Sequence, residues 1–303
     1  MPDGSPWLKI SIVTPSFNQA QYLEETIRSV LLQNYPNLEY IIIDGGSTDG
    51  SVDIIKKYEP WLTYWVSEPD KGQTYAIQKG LDKATGQLIN WLNSDDILLI
   101  DALKALALTH KSVESDKVVL CGNSKRIDGK GTVLSESKVI YKPFEERTLP
   151  QSPPLSGGIQ ASWFFTKEAW TTVNGINLSL HYTMDTDLYY RCHEKGVNFI
   201  PVDSFLAAYR QHELTKTHDG WRESIRFKHK FYNQKLGELN KKSRKRYSLR
   251  LNKLMYGYHV SSIWPSDSLI LRIQKIAGAI RYYPRCIFEP HRLNRMIRIF
   301  LRK

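Results

Sequence analysis

Through its first hundred residues the chain alternates short β-branched runs with segments of helical apolar spacing, and each run ends in a cluster of polar turn formers. Residues 8–14 (LKISIVT), 38–43, 62–66 and 87–92 read as buried strands. Between them, residues 21–33 place Tyr22, Leu23, Ile27, Val30 and Leu31 on one helical face, and residues 52–58 and 75–84 read as further helices. Strands alternating with helices at this pitch predict an α/β fold with a mostly parallel sheet covered on both faces. Further on, residues 118–121, 132–141 and 159–166 read as strands, and 167–173 as a helix. A Pro-rich loop with Gly157 and Gly158 precedes residue 159, and a helix over 185–195 is stopped by Gly196.

Composition limits the class. Of 303 residues, 41% are hydrophobic and 24% charged, as in ordinary globular proteins. No apolar run is long enough for a transmembrane helix, and the N-terminus lacks a basic head with an apolar core. Three scattered cysteines, Cys121, Cys192 and Cys286, lack CxxC spacing. These features lead to the expectation of a cytoplasmic protein. The net charge of +11 is concentrated: residues 241–303 hold sixteen Lys and Arg against two acids. There Leu293, Met296, Ile297 and Phe300 share a helical face, as do Leu269, Ile273, Ile276 and Ile280, with arginines and lysines interspersed. Two readings stand: a basic amphipathic surface lying on an anionic membrane, or an appendage with a solvated basic face. No nucleic-acid motif accompanies the charge.

Open α/β sheets bind ligands at the carboxyl ends of their strands. Four ends here are polar in succession: Thr14-Pro15-Ser16-Phe17-Asn18, Asp44-Gly45-Gly46-Ser47, Glu68-Pro69-Asp70-Lys71-Gly72 and Asn93-Ser94-Asp95-Asp96. Adjacent carboxylates such as Asp95 and Asp96 repel unless a cation sits between them. Oxygen ligands of this kind suit Mg²⁺ or Mn²⁺ shared with substrate phosphates. The alternative is that Asp95 or Asp96 caps a helix running from Ile97. Asp44 precedes a glycine-rich turn that can approach a base or phosphate, or simply bond its own backbone. GxGxxG and GxxxxGK[ST] loops are absent, which removes the Rossmann dehydrogenase and P-loop classes.

The stretch SIVTPSFNQAQYLEETIRSVLLQNYPNLEYIIIDGGSTDGS, followed by SEPDKGQTYAIQKGLDKATGQLINWLNSDD, resembles the nucleotide-binding half of inverting family 2 glycosyltransferases of GT-A fold. The resemblance implies that Thr14, Pro15, Asn18, Asp44, Ser47 and Asp49 hold a nucleoside, with Asp70 and Gly72 beside it. It implies a Mn²⁺ or Mg²⁺ site at Asp95 and Asp96, with Asn93 where the family often has its first aspartate. HYTMDTDLYYRCHEKG resembles the segment that carries the catalytic base, which falls on Asp185, with Met184 where a glutamate is usual and Asp187 matching the next acid. Arg210 and His212 resemble a basic pair that neutralises the leaving diphosphate; a surface loop is the other reading. The QxxRW motif of processive synthases is absent, so one sugar per encounter is expected.

The resulting expectation is a GT-A domain over 1–220, with a nucleotide-binding half (1–100) and an acceptor-side half (101–220), and a helical basic extension over 221–303. It would move sugar from a nucleotide sugar, with a UDP-sugar expected, to a carbohydrate or lipid-linked acceptor hydroxyl with inversion, in surface polysaccharide or glycoconjugate assembly. Its place would be the cytoplasm, with peripheral contact at the inner membrane face. A sugar-phosphate nucleotidyltransferase and a non-catalytic nucleotide-binding adaptor of the same fold are the rivals. The first would release pyrophosphate, and the second would bind nucleotide without turnover.

Overall fold

The computed structural model describes residues 1–142, 154–212, 268–284 and 288–301, with scattered residues between 215 and 263. The chain divides into two compact units, Met1–Pro143 with Pro153–His212, and Phe144–Ser152 with Glu213–Lys303.

The first unit is built on one mixed sheet. Strands β1 (Ile10–Ser16), β2 (Leu38–Asp44), β3 (Tyr64–Ser67) and β4 (Leu88–Trp91) pair in parallel in the order β3-β2-β1-β4. The sheet continues through β10 (Trp163–Thr166), β6 (Val118–Asp128), β11 (Asn198–Gln211) and β5 (Ile97–Leu98), with β7 (Val133–Ser137) paired to β6. β10 is antiparallel to both its neighbours, and β11 is parallel to β6. Periodicity reveals that a segment is a strand but not which way it runs: the first four strands are parallel, as in the mostly parallel sheet expected, and the second half is mixed. Residues 140–141 and 155–156 (β8 and β9) form a separate two-stranded ribbon.

Two apolar layers flank the sheet. Helices α1 (Ala20–Leu31), α2 (Ser51–Tyr58) and α4 (Ala102–Lys111) contribute Leu23, Ile27, Val30, Ile55, Leu103 and Leu106 to one face, against Ile10, Ile12 and Ile42. Helices α3 (Gln73–Lys83), α5 (Lys167–Thr172) and α6 (Met184–Glu194) cover the other face through Ile77, Leu81, Trp170 and Leu188, against Val13, Ile41, Ile43 and Ile89. β1 and β2 are buried on both sides, which explains their continuous β-branched runs. A Cβ on Gly80 would collide with the Val13 side chain, so glycine lets α3 lie close on β1.

Two local expectations are corrected. Residues 97–98 form β5 and α4 starts only at Ala102, so Asp95 and Asp96 cap no helix there. Residues 160–162 form a 3-10 turn, not the start of a strand. The Gln160 amide donates to Asn90 Oδ1 (2.9 Å) and the Trp91 carbonyl (2.7 Å), fixing that turn against the end of β4.

In the second unit the described helices are Leu269–Tyr282 and Pro290–Leu301. Tyr256, Val260, Ala279, Tyr283 and Met296 cluster in its core. Contrary to a simple amphipathic scheme, Arg272 and Lys275 are buried, while Leu269, Ile270 (69% exposed) and Ile273 face outward. Phe300 lies outside the described side chains.

Candidate active site

The carboxyl ends of β1, β2 and β3 build one loop cluster. Asp44 ends β2 fully buried and acts as its hub. Its Oδ2 accepts from the Gly46 (3.1 Å) and Ser47 (2.8 Å) amides and the Ser67 hydroxyl (2.7 Å), while Oδ1 accepts from the Ser47 hydroxyl (2.6 Å). The structure therefore gives Asp44 the turn-forming role that was its alternative reading. Asn18, with φ of +51°, ties the first loop to the second: its amide donates to Ser47 Oγ (2.8 Å) and its Oδ1 accepts from Thr48 (2.9 Å). Asp49 accepts from the Ala20 and Ser51 amides and the Ser51 hydroxyl. Burial opposes its ionisation, but those hydrogen bonds prevail and hold its carboxyl below the ordinary range. Thr14 and Pro15 are buried, Thr14 against the Tyr40 hydroxyl at 3.0 Å.

Beside these bonds Phe17 and Asp70 are exposed, with Gly45 buried against both. Phe17 is 60% exposed. A Cβ on Gly45 would lie 3.3 Å from the Phe17 ring and 3.2 Å from Asp70 Oδ2. Asp70 keeps that oxygen towards Gly45 while its Oδ1 accepts the Gly72 amide at 2.6 Å. Glu68, in the same segment, pairs with Lys79. Phe17 was not singled out from sequence, although an aromatic directly after a strand-end Thr-Pro-Ser is a visible signal.

Residues 93–96 are held from both sides. The Gln73 side chain at the start of α3 donates to Asn93 Oδ1 (2.8 Å), and Asn93 donates to Asp96 Oδ2 (3.1 Å). Asp96 is buried, and its Oδ1 accepts the Arg210 amide at 3.0 Å. Burial first, and then repulsion from Asp95, push its carboxyl well above the usual carboxylate range. Asp96, expected with Asp95 at a metal, also bolts the β4 loop to β11. Arg210 is enclosed in the same way. It is 1% exposed, bonded to Glu25 Oε2 (2.6 Å) and to the carbonyls of Asp95 (2.9 Å) and Asp128 (3.3 Å), and lies 4.9 Å from the centre of the Tyr22 ring. A guanidinium so engaged supports the loop from within rather than meeting a phosphate.

Asp95 and His212 remain as a pair, with Oδ2 and Nε2 3.1 Å apart and the imidazole packed on Tyr22 at 4.7 Å. Two cis ligands of an octahedral ion with bonds of about 2.1 Å lie about 3 Å apart. The pair therefore fits a divalent cation that takes its other ligands from phosphate and water. Among the described residues no group of three or more His, Cys, Asp or Glu is arranged around a metal position.

On the opposite side, the loop before α6 lies over the start of α3. The Thr74 hydroxyl donates to the Leu180 carbonyl (2.8 Å), and a Cβ on Gly72 (φ +108°) would lie 3.3 Å from the His181 ring. Thr183, at φ +61°, turns the chain into α6, so Asp185 and Asp187 both fall in its first turn. The resemblance puts the base on Asp185 and not on Asp187, and the two acids differ in their surroundings. Asp187 is buried and paired with Arg191 at 2.7 Å, whose NH1 also bonds the Val173 (2.6 Å) and Gly175 (2.8 Å) carbonyls. Asp185 is partly exposed, and among the described residues its Oδ1 accepts only local bonds from Thr186. Met184, where a glutamate is usual, is buried in the core.

Comparison with known proteins agrees with this architecture. The model of glycosyl transferase family 2 matches residues 11–171. A putative teichuronic acid biosynthesis glycosyltransferase, TuaG, of Bacillus subtilis is 40% identical over 90 residues, covering 29% of this chain and 36% of that protein. An uncharacterised glycosyltransferase of Rickettsia typhi is 28% identical over 216 residues, covering 69% and 64%. The match to TuaG thus spans about a third of that relative. In fold, the chain is similar to Staphylococcus aureus TarS 1–349 in complex with UDP, with a TM-score of 0.60, 16% identity, and coverage of 97% of this chain and 89% of that one. It is also similar to the mannosyltransferase PcManGT of Pyrobaculum calidifontis in complex with GDP-Man and Mn²⁺, with a TM-score of 0.51, 17% identity, and 98% and 89% coverage. A curled mixed sheet flanked by helices, polar at its strand ends and matched by the family model over more than half the chain, places this protein in glycosyl transferase family 2, with the GT-A fold.

Proposed function

We propose that the chain transfers a sugar from a nucleotide sugar, a UDP-sugar by preference, to an acceptor hydroxyl with inversion. The observation that carries this is the Asp95–His212 pair at the end of β4 and β11, in a sheet whose neighbouring strand ends carry the exposed Phe17 and Asp70. The base of the nucleotide would stack on Phe17, with Asp70 at the sugar or base edge. Asp44, Ser47, Asn18 and Asp49 hold these loops in shape. Asp95 and His212 would hold Mn²⁺ or Mg²⁺, which when bound neutralises the diphosphate.

Asp185 would accept the acceptor hydroxyl proton as the oxygen bonds the anomeric carbon. The bond from that carbon to the diphosphate oxygen breaks, and its electron pair leaves with the nucleoside diphosphate. The uridine preference draws on the UDP and UDP-GlcNAc complexes of TarS, and the surface-polysaccharide setting on the name of TuaG. The reading is tested by product analysis on a panel of nucleotide sugars. Release of nucleoside diphosphate, abolished by Asp185→Asn, supports it; no release from any nucleotide sugar, with pyrophosphate formed instead from a nucleoside triphosphate and a sugar phosphate, would make the enzyme a nucleotidyltransferase.

The second unit extends the proposal to a membrane surface. Leu269, Ile270, Ile273 and Phe288 are exposed in a segment with a large excess of basic residues, as suits an anionic bilayer carrying a lipid-linked acceptor. No helix of the described residues is long and apolar enough to cross a membrane.

A further inference from the structure

Among the described residues the Asp185 side chain makes only local bonds, so its position is inherited from the backbone that delivers it. That backbone is the loop over residues 173–183, and α3 fastens it. Thr74 and Gln78 stand four residues apart and so lie on one face of α3. Thr74 is buried, and its hydroxyl donates to the Leu180 carbonyl at 2.8 Å; Gln78 Oε1 accepts the Ile176 amide at 3.2 Å. Between these two holds the loop closes on itself. The Leu180 amide donates to the Asn177 carbonyl (3.1 Å), and Asn177 Oδ1 accepts the Ser179 amide (3.1 Å) and hydroxyl (2.8 Å). At the far end, Arg191 of α6 holds the Val173 and Gly175 carbonyls while paired with Asp187.

The same turn of α3 fastens the other half of the site. Gln73, next to Thr74, donates to Asn93 Oδ1, and Asn93 donates to Asp96 Oδ2, beside Asp95. One rigid element thus grips the loop of the base and the loop of the metal carboxylate at adjacent residues. We propose that Thr74 is a positioning residue for sugar transfer, setting through the Leu180 carbonyl where Asp185 stands relative to Asp95. A base works only within hydrogen-bond reach of the proton it takes, and a misplacement of about 1 Å can cost about 10²-fold in rate. Valine keeps the branched shape of threonine but removes the donor, which leaves the Leu180 carbonyl unpaired and free to shift. This inference rests on the sugar-transfer reading with Asp185 as its base.

The test measures nucleoside diphosphate release by the full chain with Mn²⁺ from UDP-glucose, UDP-N-acetylglucosamine and GDP-mannose, using the donor that the wild type cleaves fastest. Thr74→Val should lower kcat about tenfold while the affinity for the corresponding nucleoside diphosphate stays within about twofold. Thr74→Ser, which restores the hydroxyl, should keep kcat within about twofold of wild type. In an Asp185→Asn background Thr74→Val should cost nothing further, because the group it positions is gone. Gln78→Met removes the second hold on the same loop and should also lower kcat, which keeps the proposal testable if Thr74→Val does not fold. A merely stabilising bond would lower the urea midpoint and leave kcat alone. Wild-type kcat in both Thr74→Val and Gln78→Met, an equal loss in Thr74→Ser, or full additivity with Asp185→Asn would each overturn the proposal. Absence of nucleoside diphosphate release by the wild type from all three donors overturns the sugar-transfer reading together with it.

Discussion

Arg210 sets a full charge out of water, and the acceptors around it make that tolerable: one carboxylate, three carbonyls and an aromatic face. Replacing it by methionine leaves Glu25 and the Asp95 and Asp128 carbonyls without their donor. We expect Arg210→Met to cost about 3–5 kcal/mol in urea denaturation. Arg210→Lys should recover only part of this, because an ammonium cannot span acceptors set by a planar fork. Asp185 has the opposite profile, with few bonds and a chemical task. Asp185→Asn should lower kcat about 10²–10⁴-fold while the affinity for nucleoside diphosphate and the unfolding midpoint stay at wild-type values. Loss of nucleotide binding in that variant would instead make Asp185 part of the donor pocket.

At the scale of elements, the N-terminal ends of β1 and β2 and the end of α3 are fastened by Glu39. It accepts from Ser11 (2.5 Å) and from the Thr85 amide (2.6 Å) and hydroxyl (2.7 Å), and pairs with Lys9 at 2.8 Å. Burial opposes the charge, but these donors prevail and bring its carboxyl from 4.5 down to about 2. A carboxyl with a depressed folded-state pKa stabilises fully above its unfolded value of 4.5, and that contribution is lost as pH falls towards 2. Glu39→Gln should therefore be destabilised by about 3 kcal/mol at pH 7, with the difference from wild type shrinking between pH 4.5 and 2. A pH-independent difference would mean that packing, not charge, fastens this end.

The elements that sequence made legible are those whose ends are marked by turn chemistry. Asp44-Gly45-Gly46 closes β2, and Gly196, at φ +72°, stops α6. The direction of β10 was illegible because it depends on partners remote in sequence, whereas the resemblance already set Asp185 apart from Asp187. Arg210 was misread for a related reason: a charged residue beside a polar loop reads as exposed until its five-donor fork is seen to be enclosed.

For the molecule as a whole, the division at His212 separates a nearly neutral catalytic unit from a second unit that carries the basic excess. The outward-facing Leu269, Ile270 and Ile273, among so many cations, predict binding to vesicles containing anionic lipid that weakens as salt rises. Co-sedimentation of the full chain should fall severalfold between low and physiological ionic strength, and Ile270→Glu should reduce it at every salt concentration. Equal recovery with neutral vesicles would remove the membrane reading and leave the catalytic one intact. The central claim is that Asp95 and His212 couple a divalent cation to a nucleoside diphosphate, and titrating UDP into the chain with and without Mn²⁺ tests it most directly. The account predicts binding that needs the metal and is lost in Asp95→Ala. Metal-independent binding of equal strength in wild type and Asp95→Ala would contradict it.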